Sequence, residues 1–380
     1  MKNKLRFETL AIQSTAPDGD DTCSVANAIY PSTTFERETD GSYQSGFVYT
    51  RDNNPNRQLL EDSLNTLEQG KKALAFASGM AAASAVLQSL STGDHVLLPD
   101  DAYYCMHRSL REVYNHWGLQ HSIVDMTDLE AVRSAMQSNT RLLWLESPSN
   151  PLLKISDIAA LADIAHQHDA LCVVDNTWAT PVLQSPLALG ADAVMYSTTK
   201  YFGGHSDSLS GALVLNQNAE DAWLERLTTI QKLNGAVPSP FDCWLILRGL
   251  KTMKLRLQQQ TRNAKQLAEF LATQPGIQQV HYPDLPSHPQ HLLAQQQMPS
   301  GSGAMLSIQY GNHPSEAMQL TGRLNLFTAA TSLGGVESLI EHRKSVEGAL
   351  SPTPDNLLRI SVGIEHIEDL KADWLQALNA

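Results

Sequence analysis

The sequence is poor in cysteine, in positive charge and in long apolar runs, and each shortage excludes a class of protein. Its 380 residues include four cysteines without any Cys-x-x-Cys spacing, which argues against a zinc ribbon or a disulfide scaffold. Lys and Arg number 27 against 40 Asp and Glu, so the net charge of −13 repels the phosphates of nucleic acids and anionic membranes. No run approaches the roughly 18 apolar residues of a membrane-spanning helix. We therefore predict neither a nucleic-acid nor a membrane partner.

The amino-terminal region lacks further signals. Its basic residues are not followed by an apolar segment, so no secretory signal is predicted. The scattered cysteines indicate a reducing compartment, the cytoplasm. Residues 1–57 have little periodicity and form either a flexible leader or an arm that packs on another subunit. The pattern alone leaves both interpretations open.

Short apolar runs alternate with helical segments from about residue 58 onward. Near-continuous apolar strands separated by helices indicate an α/β fold, with a mostly parallel sheet and helices on both faces. The predicted helices between strands include Ser78–Leu90, Asp128–Met136 and Ser156–His166. The predicted strands are Ala73–Ala77, His95–Leu98, Ser122–Val124, Leu142–Leu145, Leu171–Val174, Ala193–Tyr196 and Ala212–Leu215.

A stretch with Gly and Pro at 234–240 interrupts this alternation, and we place a domain boundary there. The α/β domain would span residues 58–237, and a smaller α+β domain would span residues 238–380. In the second domain we predict a long helical stretch, from about Phe241 to Ala272, and a closing helix, Glu368–Leu378. Its predicted strands are Gly303–Gln309, Leu326–Thr328 and Leu357–Val362.

Two strand ends carry residues that suit catalysis. Lys200 follows the strand Ala193–Tyr196 and is flanked by the hydroxyl residues Ser197 and Thr199. A lysine at the carboxyl edge of a buried sheet loses water, which lowers its pKa and frees its amine as a nucleophile. Asp175 ends the preceding strand. The ordinary alternatives are a solvated loop lysine and an aspartate that caps the next helix.

A third feature is the turn Ser78-Gly79-Met80 between a strand and a helix. Small residues let an anion approach the backbone, and free N–H groups at a helix start can bind it. A simple N-cap serine explains this turn equally well. Together, a lysine, an aspartate at a neighbouring strand end and an anion site are the parts needed for pyridoxal phosphate (PLP). The sequence therefore predicts PLP as the cofactor.

With these residues in view, the sequence resembles the Cys/Met-metabolism family of PLP-dependent enzymes. This is the trans-sulfuration family of cystathionine γ-synthase, cystathionine γ-lyase, cystathionine β-lyase and methionine γ-lyase. The segment Tyr196–Asp207, with Asp175–Trp178 before it, is similar to the family's cofactor-attachment signature. The resemblance implies the type I fold of PLP-dependent transferases. Further similar segments, in the family's order, are Tyr49–Arg51, Asn54–Pro55, Ser78–Met80, Asp101–Tyr103, Glu146–Pro151, Thr331–Leu339 and Leu358–Glu365.

The resemblance implies how the cofactor would be held. Lys200 would carry it covalently, and Asp175 would pair with its pyridine nitrogen. Tyr103 would stack on the ring and could take or give a proton, which would make it a catalytic residue beside Lys200. The phosphate would be held by the backbone amides or the hydroxyls of Gly79, Met80, Ser197 and Thr199.

The resemblance also implies the substrate site and the assembly. Asn150 would lie near both the cofactor and the substrate carboxylate, which Arg359 would clamp with help from Ser332. Tyr49 and Arg51 would reach the phosphate in a neighbouring subunit. This gives the arm 1–57 a function and implies a homo-oligomer, with a dimer as the catalytic unit and a tetramer as the usual assembly.

The sequence departs from the family pattern near the expected substrate pocket. The usual His-Pro-Ala-Ser-Met-Thr-His is replaced by the segment Glu341–Gly348, which contains His-Arg-Lys-Ser and precedes a short loop. Tyr104 and Met106 stand where Gly and Thr are usual. We treat Cys105, which stands where methionine γ-lyases have a cysteine, as incidental. No metal site is predicted, because the loop histidines His281, His288 and His291 lack a neighbouring set of carboxylates or cysteines.

Glu337 bears on the choice of reaction. Within the family, γ-synthases and γ-lyases of cystathionine carry a glutamate there that can recognise the distal amino group of a small sulfur-containing amino acid. We favour cystathionine γ-lyase, which forms cysteine, 2-oxobutyrate and ammonia. Cystathionine γ-synthase, which joins cysteine to O-succinylhomoserine or O-acetylhomoserine, is the alternative. Methionine γ-lyase and cystathionine β-lyase are weaker alternatives, and a non-catalytic family member is the alternative from another class.

Overall fold

A computed structural model describes residues 5–16, 23–348 and 351–380. Every run predicted as a strand before residue 216 is a strand of one sheet, and its position in the chain was predicted to within a few residues. The strands are β1 (Lys72–Phe76), β2 (His95–Pro99), β3 (Gln120–Val124), β4 (Thr140–Glu146), β5 (Leu171–Asp175), β6 (Ala193–Tyr196) and β7 (Gly211–Leu215).

The sheet order is β1-β7-β6-β5-β4-β2-β3. Within this sheet, β7 runs antiparallel to both of its neighbours, while β6, β5, β4, β2 and β3 are parallel. The predicted α/β class with a mostly parallel sheet is confirmed. The carboxyl ends of the parallel strands therefore meet at one edge of the sheet, where such folds bind ligands.

Helices cover both faces of this sheet. They are α1 (Phe7–Gln13), α2 (Pro55–Glu68), α3 (Gly79–Gln88), α4 (Tyr104–Glu112), α5 (Leu129–Ala135), α6 (Ile158–His166), α7 (Thr180–Leu183), α8 (Asp221–Asn234) and α9 (Pro240–Leu250). Alternate residues of β1 show why both faces are apolar. Leu74 and Phe76 join the core beneath α3 and α8, whereas Ala73 and Ala75 join the core beneath α2 and α9.

A second sheet follows, in the order β10-β11-β12-β9-β8. Helices pack on it around the buried Trp374 and Leu306. The strands are β8 (Ile277–His281), β9 (Met305–Tyr310), β10 (Thr328–Ala329), β11 (Leu339–His342) and β12 (Leu357–Ser361). The helices of this part are α10 (Met253–Leu271), α11 (His291–Gln297), α12 (Pro314–Thr321), α13 (Arg343–Glu347) and α14 (Ile367–Asn379).

The predicted helical stretch Phe241–Ala272 is confirmed except at Lys251-Thr252, where the chain breaks into α9 and α10. The guanidinium of Arg256 donates to the backbone oxygens of Tyr201 (2.8 Å) and Gly249 (2.9 Å) beside the break. A Cβ on Gly249 would lie 2.3 Å from the carbonyl oxygen of Gly203, so the two backbones touch there. These tertiary contacts lie beside the interruption between α9 and α10, and the local sequence does not reveal them.

Two helices, α1 and α9, pack across the predicted domain boundaries. Helix α1 lies inside the predicted arm, and its Ala11 is buried in the core with α2 and α9 of the same chain. Helix α9 lies after the predicted boundary at 237–238 yet packs on α2, so the division into domains stays a prediction. No helix within the described ranges is long and apolar enough to cross a bilayer.

Candidate active site

A cavity of about 310 Å³ opens at the carboxyl edge of the large sheet, beside residues of the second sheet. Residues that follow β1, β2, β4, β5 and β6 line it together with Arg359 of β12. The parallel topology brings these segments together from distant parts of the chain. The predicted site residues on its wall are Gly79, Met80, Tyr103, Asn150, Asp175, Ser197, Thr199, Lys200, Ser332 and Arg359.

Lys200 is poised as a reactive amine. Burial, together with the positive charge of Arg359, lowers the pKa of its ammonium to about 8. Its Nζ donates a hydrogen bond to the Oγ of Ser332 at 2.8 Å. Ser332 has a φ of +99°, an uncommon conformation for a residue with a side chain. The strained turn therefore holds a hydroxyl against the lysine.

Asp175 ends β5 inside the cavity. Its Oδ1 accepts a hydrogen bond from the backbone N–H of Thr177 at 3.0 Å, and burial raises the pKa of the carboxyl to about 6. The nearby charge of Lys200 offsets only part of the cost of burying this carboxylate. A positively charged partner in the cavity would therefore be strongly stabilised by it.

Glu146 is a site residue that was not predicted from the sequence. It ends β4 opposite Asp175 of β5 and lines the same cavity. Its Oε2 accepts from the backbone N–H of Tyr103 at 2.6 Å, at the start of α4. Burial and the neighbouring Asp175 raise the pKa of Glu146 well above its ordinary value. Its place at a strand end, like that of Asp175, was the available signal.

The start of α3 forms a narrow cradle. Ser78 caps the helix by accepting from the N–H of Ala81 at 3.0 Å. The first N–H groups of the helix, those of Gly79 and Met80, have no acceptor within the helix. A Cβ at Gly79 would lie 2.9 Å from the Cβ of Ser197, so a side chain there would fill the cradle.

The hydroxyl of Thr199 lies on the wall of the cavity but is engaged elsewhere. It donates to the backbone oxygen of Ser210 at 2.9 Å and accepts from the N–H of the same residue at 3.0 Å. Binding a phosphate through this hydroxyl would require the first of these hydrogen bonds to be exchanged.

Arg359 is held from two sides. Its Nη1 donates to Oδ1 of Asn150 at 3.0 Å, and its Nη2 donates to Oε2 of Glu341 at 2.6 Å. Burial lowers the pKa of Arg359 to about 10, so it stays cationic at neutral pH. Arg343 also lines the cavity and donates to the same oxygen of Glu341 at 2.9 Å. This segment departs from the family pattern in its sequence, but Glu341 and Arg343 were not predicted as site residues.

Tyr49, Arg51 and Glu337 do not line this cavity. Tyr49 is 42% exposed, and the guanidinium carbon of Arg51 lies 5.7 Å from the centre of the Tyr49 ring. Glu337 accepts a hydrogen bond from the hydroxyl of Ser206. The roles predicted for these residues stay predictions.

Comparison with known proteins decides the family. A sequence profile described as "Cys/Met metabolism PLP-dependent enzyme" matches residues 8–379. The chain belongs to this family. The family resemblance proposed from the sequence is thereby confirmed, and PLP is the cofactor.

Relatives in the family carry different activities in their names. Cystathionine gamma-synthase of Mycobacterium leprae (strain TN) is 48% identical over 357 residues, covering 92% of this chain and 91% of that protein. Cystathionine gamma-lyase of Dictyostelium discoideum is 41% identical over 385 residues, covering 99% and 98%. The crystal structure of metB from Corynebacterium glutamicum matches with a TM-score of 0.96 at 41% identity, covering 100% and 99%. The chain is therefore a PLP-dependent trans-sulfuration enzyme whose exact reaction these names leave undecided.

The cavity fits the family's cofactor on its own geometry. The cradle at Gly79 suits a phosphate, the buried carboxyl of Asp175 suits a protonated ring nitrogen, and Lys200 offers an amine of lowered pKa. These three features lie on one continuous wall. Each comes from a different strand end, as the topology requires.

Proposed function

We propose that the protein eliminates the γ-substituent of L-cystathionine and forms cysteine, 2-oxobutyrate and ammonia. The observation that carries the proposal is the juxtaposition of Lys200 with Arg359 in one cavity. Arg359 can hold an α-carboxylate, and a carboxylate held there brings the α-carbon of an amino acid towards the amine of Lys200. When bound, PLP supplies an electron-withdrawing ring that makes the α-proton removable.

Lys200 is the residue proposed to move protons. An amine with a pKa of about 8 accepts and releases a proton readily near neutral pH. It would take the proton from Cα of the substrate and then serve the proton transfer at Cβ that precedes departure of the γ-substituent. The hydroxyl of Ser332, 2.8 Å from Nζ, can orient the amine between these transfers.

The other wall residues are proposed to bind and orient. Asp175 would hold the ring nitrogen of PLP in its protonated form. The amides of Gly79 and Met80, with the hydroxyls of Ser197 and Thr199, would bind the phosphate. Tyr103 would lie against the ring, fixed by the hydrogen bond from its backbone to Glu146. A proton transfer by its phenol stays part of this proposal, although burial raises the pKa of Tyr103 above its usual value.

The substrate's α-carboxylate is assigned to Arg359, with Asn150 and Ser332 beside it. A planar guanidinium gives two parallel hydrogen bonds to a carboxylate, which fixes both position and orientation. The distal ammonium of cystathionine is assigned to Glu337, which would face the far end of the substrate from its place beside Ser206.

A second subunit is proposed to complete the site. Tyr49 and Arg51 lie outside the cavity of their own chain and are exposed, so they are free to reach the phosphate site of a neighbour. The catalytic unit would then be a dimer, which pairs further to a tetramer. A cytoplasmic location is proposed on the evidence of the cysteines, which are all free.

The second candidate is cystathionine γ-synthase. It is favoured by the 48% identity to the gamma-synthase of Mycobacterium leprae. This reaction shares the proton transfers at Cα and Cβ and differs in the fate of the γ-carbon, which accepts the sulfur of cysteine.

One set of assays separates the two candidates. The purified holoenzyme would be incubated with cystathionine alone, and with O-succinylhomoserine or O-acetylhomoserine with and without cysteine. Release of 2-oxobutyrate and cysteine from cystathionine supports the lyase. Formation of cystathionine from an activated homoserine and cysteine, with little elimination of cystathionine, supports the synthase instead. Turnover of neither set, by a protein that retains PLP, would contradict both.

A further inference from the structure

Arg343 occupies an unusual position on the cavity wall. It begins α13, directly after β11, in the segment that departs from the family pattern. Its side chain is only 2% exposed, so its charge is almost wholly removed from water. Its guanidinium carbon lies 6.0 Å from the ring centre of Tyr104, another wall residue that departs from the pattern.

Two carboxylates neutralise this buried guanidinium. Its Nη1 donates to Oε2 of Glu341 at 2.9 Å, and its Nε donates to Oε1 of Glu347 at 3.0 Å. Glu347 is itself fixed, because its Oε2 accepts from the hydroxyls of Ser351 and Thr353 in the short loop that follows. Arg343 is therefore anchored on its outer side.

Glu341 joins Arg343 to the substrate site. Strands β11 and β12 pair Glu341 directly with Arg359, so the backbone register places these two side chains together. The single oxygen Oε2 of Glu341 accepts from Arg359 at 2.6 Å as well as from Arg343. A continuous series of ion pairs thus runs from Glu347 through Arg343 and Glu341 to Arg359, the guanidinium assigned to the α-carboxylate.

The charges of the four side chains in this series explain how Arg343 affects Arg359. Arg359 and Arg343 carry two positive charges, and Glu341 and Glu347 carry two negative charges, all of them buried. Without Arg343, Glu341 would pair with Arg359 alone and compete with an incoming carboxylate. With Arg343 present, Glu341 is shared, and Arg359 keeps positive charge and a fixed orientation for the substrate.

We infer that Arg343 is a positioning residue that, through Glu341, prepares Arg359 to bind the α-carboxylate of the amino-acid substrate. This inference rests on the proposed role of Arg359. It does not depend on which sulfur amino acid is the substrate, because every candidate carries the same carboxylate.

The test compares Arg343→Met with Arg343→Lys in the holoenzyme. The Met variant should raise KM for each accepted amino acid roughly tenfold to a hundredfold, with kcat changed only a few fold, because a contact made equally in ground and transition states affects KM. The Lys variant keeps the charge and should recover part of the loss. Arg111→Met, an exposed arginine of α4 paired with Glu112, is the matched control.

A binding measurement separates positioning from general damage. Absorbance changes of bound PLP would report the affinity for an amino acid and for the corresponding amine that lacks the carboxylate. In Arg343→Met the advantage of the amino acid over the amine should shrink by the same roughly tenfold to hundredfold. Adding Glu341→Gln to Arg343→Met removes the competing carboxylate and should restore part of this advantage.

Three results would overturn the inference: an unchanged KM, an equal weakening of amino acid and amine, or no restoration in the double variant. If Arg343→Met does not fold, Arg343→Lys and Glu347→Gln permit the same comparison. Because the binding measurement needs no turnover, it stands even if the proposed reaction fails.

Discussion

At the scale of single residues, the site is dominated by groups whose charge is hard to keep in a buried cavity. Burial lowers the pKa of Lys200 to about 8 and raises the pKa of Asp175 to about 6. Each shift brings the group towards neutral pH, where a proton can move at little cost. The desolvation that lowers stability therefore also makes the site reactive.

Lys200 is expected to be the lysine that binds PLP covalently. Reduction of the holoenzyme with borohydride, followed by peptide mapping, should place the pyridoxyl group on the peptide that contains Lys200. Lys200→Ala should reduce turnover by about 10²–10⁴-fold, because the amine that moves protons is lost. A label on any other lysine in the wild-type protein would disprove the assignment.

Glu337 is expected to act on one class of substrate only. Glu337→Ala should lower kcat/KM for cystathionine by roughly tenfold to a hundredfold, because a charge-assisted contact to the distal ammonium is lost. Substrates without that amine should be spared. Ser206→Ala, which removes the hydrogen bond to Glu337 but not its charge, is the control. An equal loss on all substrates, or none on cystathionine, would count against the role.

At the scale of elements, a buried hydrogen bond ties the end of α2 to the end of β6. The hydroxyl of Tyr196 donates to the carboxyl of Glu68 and accepts from the side-chain amide of Asn176 at 2.9 Å. Asn176 and Tyr196 adjoin Asp175 and Ser197, so this contact lies behind two strand ends of the site. Burial raises the pKa of Glu68 to about 7.

The raised pKa of Glu68 predicts a pH-dependent stability. The folded state holds the proton more tightly than the unfolded chain, so this contribution is complete below about pH 4.5 and is lost as the pH rises through about 7. Glu68→Gln cannot titrate and should gain up to about 3 kcal/mol over the wild type between pH 5 and pH 8. Melting temperatures of both proteins at the two pH values test this; a difference that does not vary with pH contradicts it.

Burial and strand length decide which strands the sequence pattern reveals. The buried strands of the large sheet were found because both of their faces are apolar and each run is short. Strand β8 was missed because its Gln278 and Gln279 are exposed at a sheet edge. Strand β11 was missed because it is four residues long and ends in Glu341-His342. These two polar residues conceal the alternation of apolar and polar residues that would have indicated a strand.

At the scale of the whole molecule, Tyr49 and Arg51, which precede α2, do not line the cavity of their own chain. A shared active site predicts that two inactive variants can complement each other. In a mixture of Lys200→Ala and Arg51→Ala chains, half of the dimers should be hybrids with one intact site, so activity should reach about a quarter of the wild type.

The complementation experiment has a direct control. Mixing Lys200→Ala with Lys200→Arg should restore nothing, because no hybrid site then contains the lysine. Exchange of subunits would be followed by differently tagged chains. Activity that stays absent from Lys200→Ala and Arg51→Ala hybrids, once these are isolated, would mean that the site is built within one chain.

Local sequence determined the large sheet and the chemistry of its edge. Apolar runs of strand length specify buried strands, and the residues directly after them, such as Asp175 and Lys200, must lie at the carboxyl edge whatever the rest of the chain does. Together with the anion site predicted at Ser78-Gly79-Met80, this lysine and this aspartate are the parts that PLP needs, so the sequence indicates this cofactor.

Only the tertiary structure decided which distant groups meet. The pairing of β11 with β12 brings Glu341 to Arg359, and the start of α13 adds Arg343 to the same cluster. The predicted helical stretch Phe241–Ala272 is interrupted beside the close contact of Gly249 with Gly203. Such contacts depend on strand register and on close approach between elements far apart in the chain. A local pattern of apolar and polar residues carries no information about either.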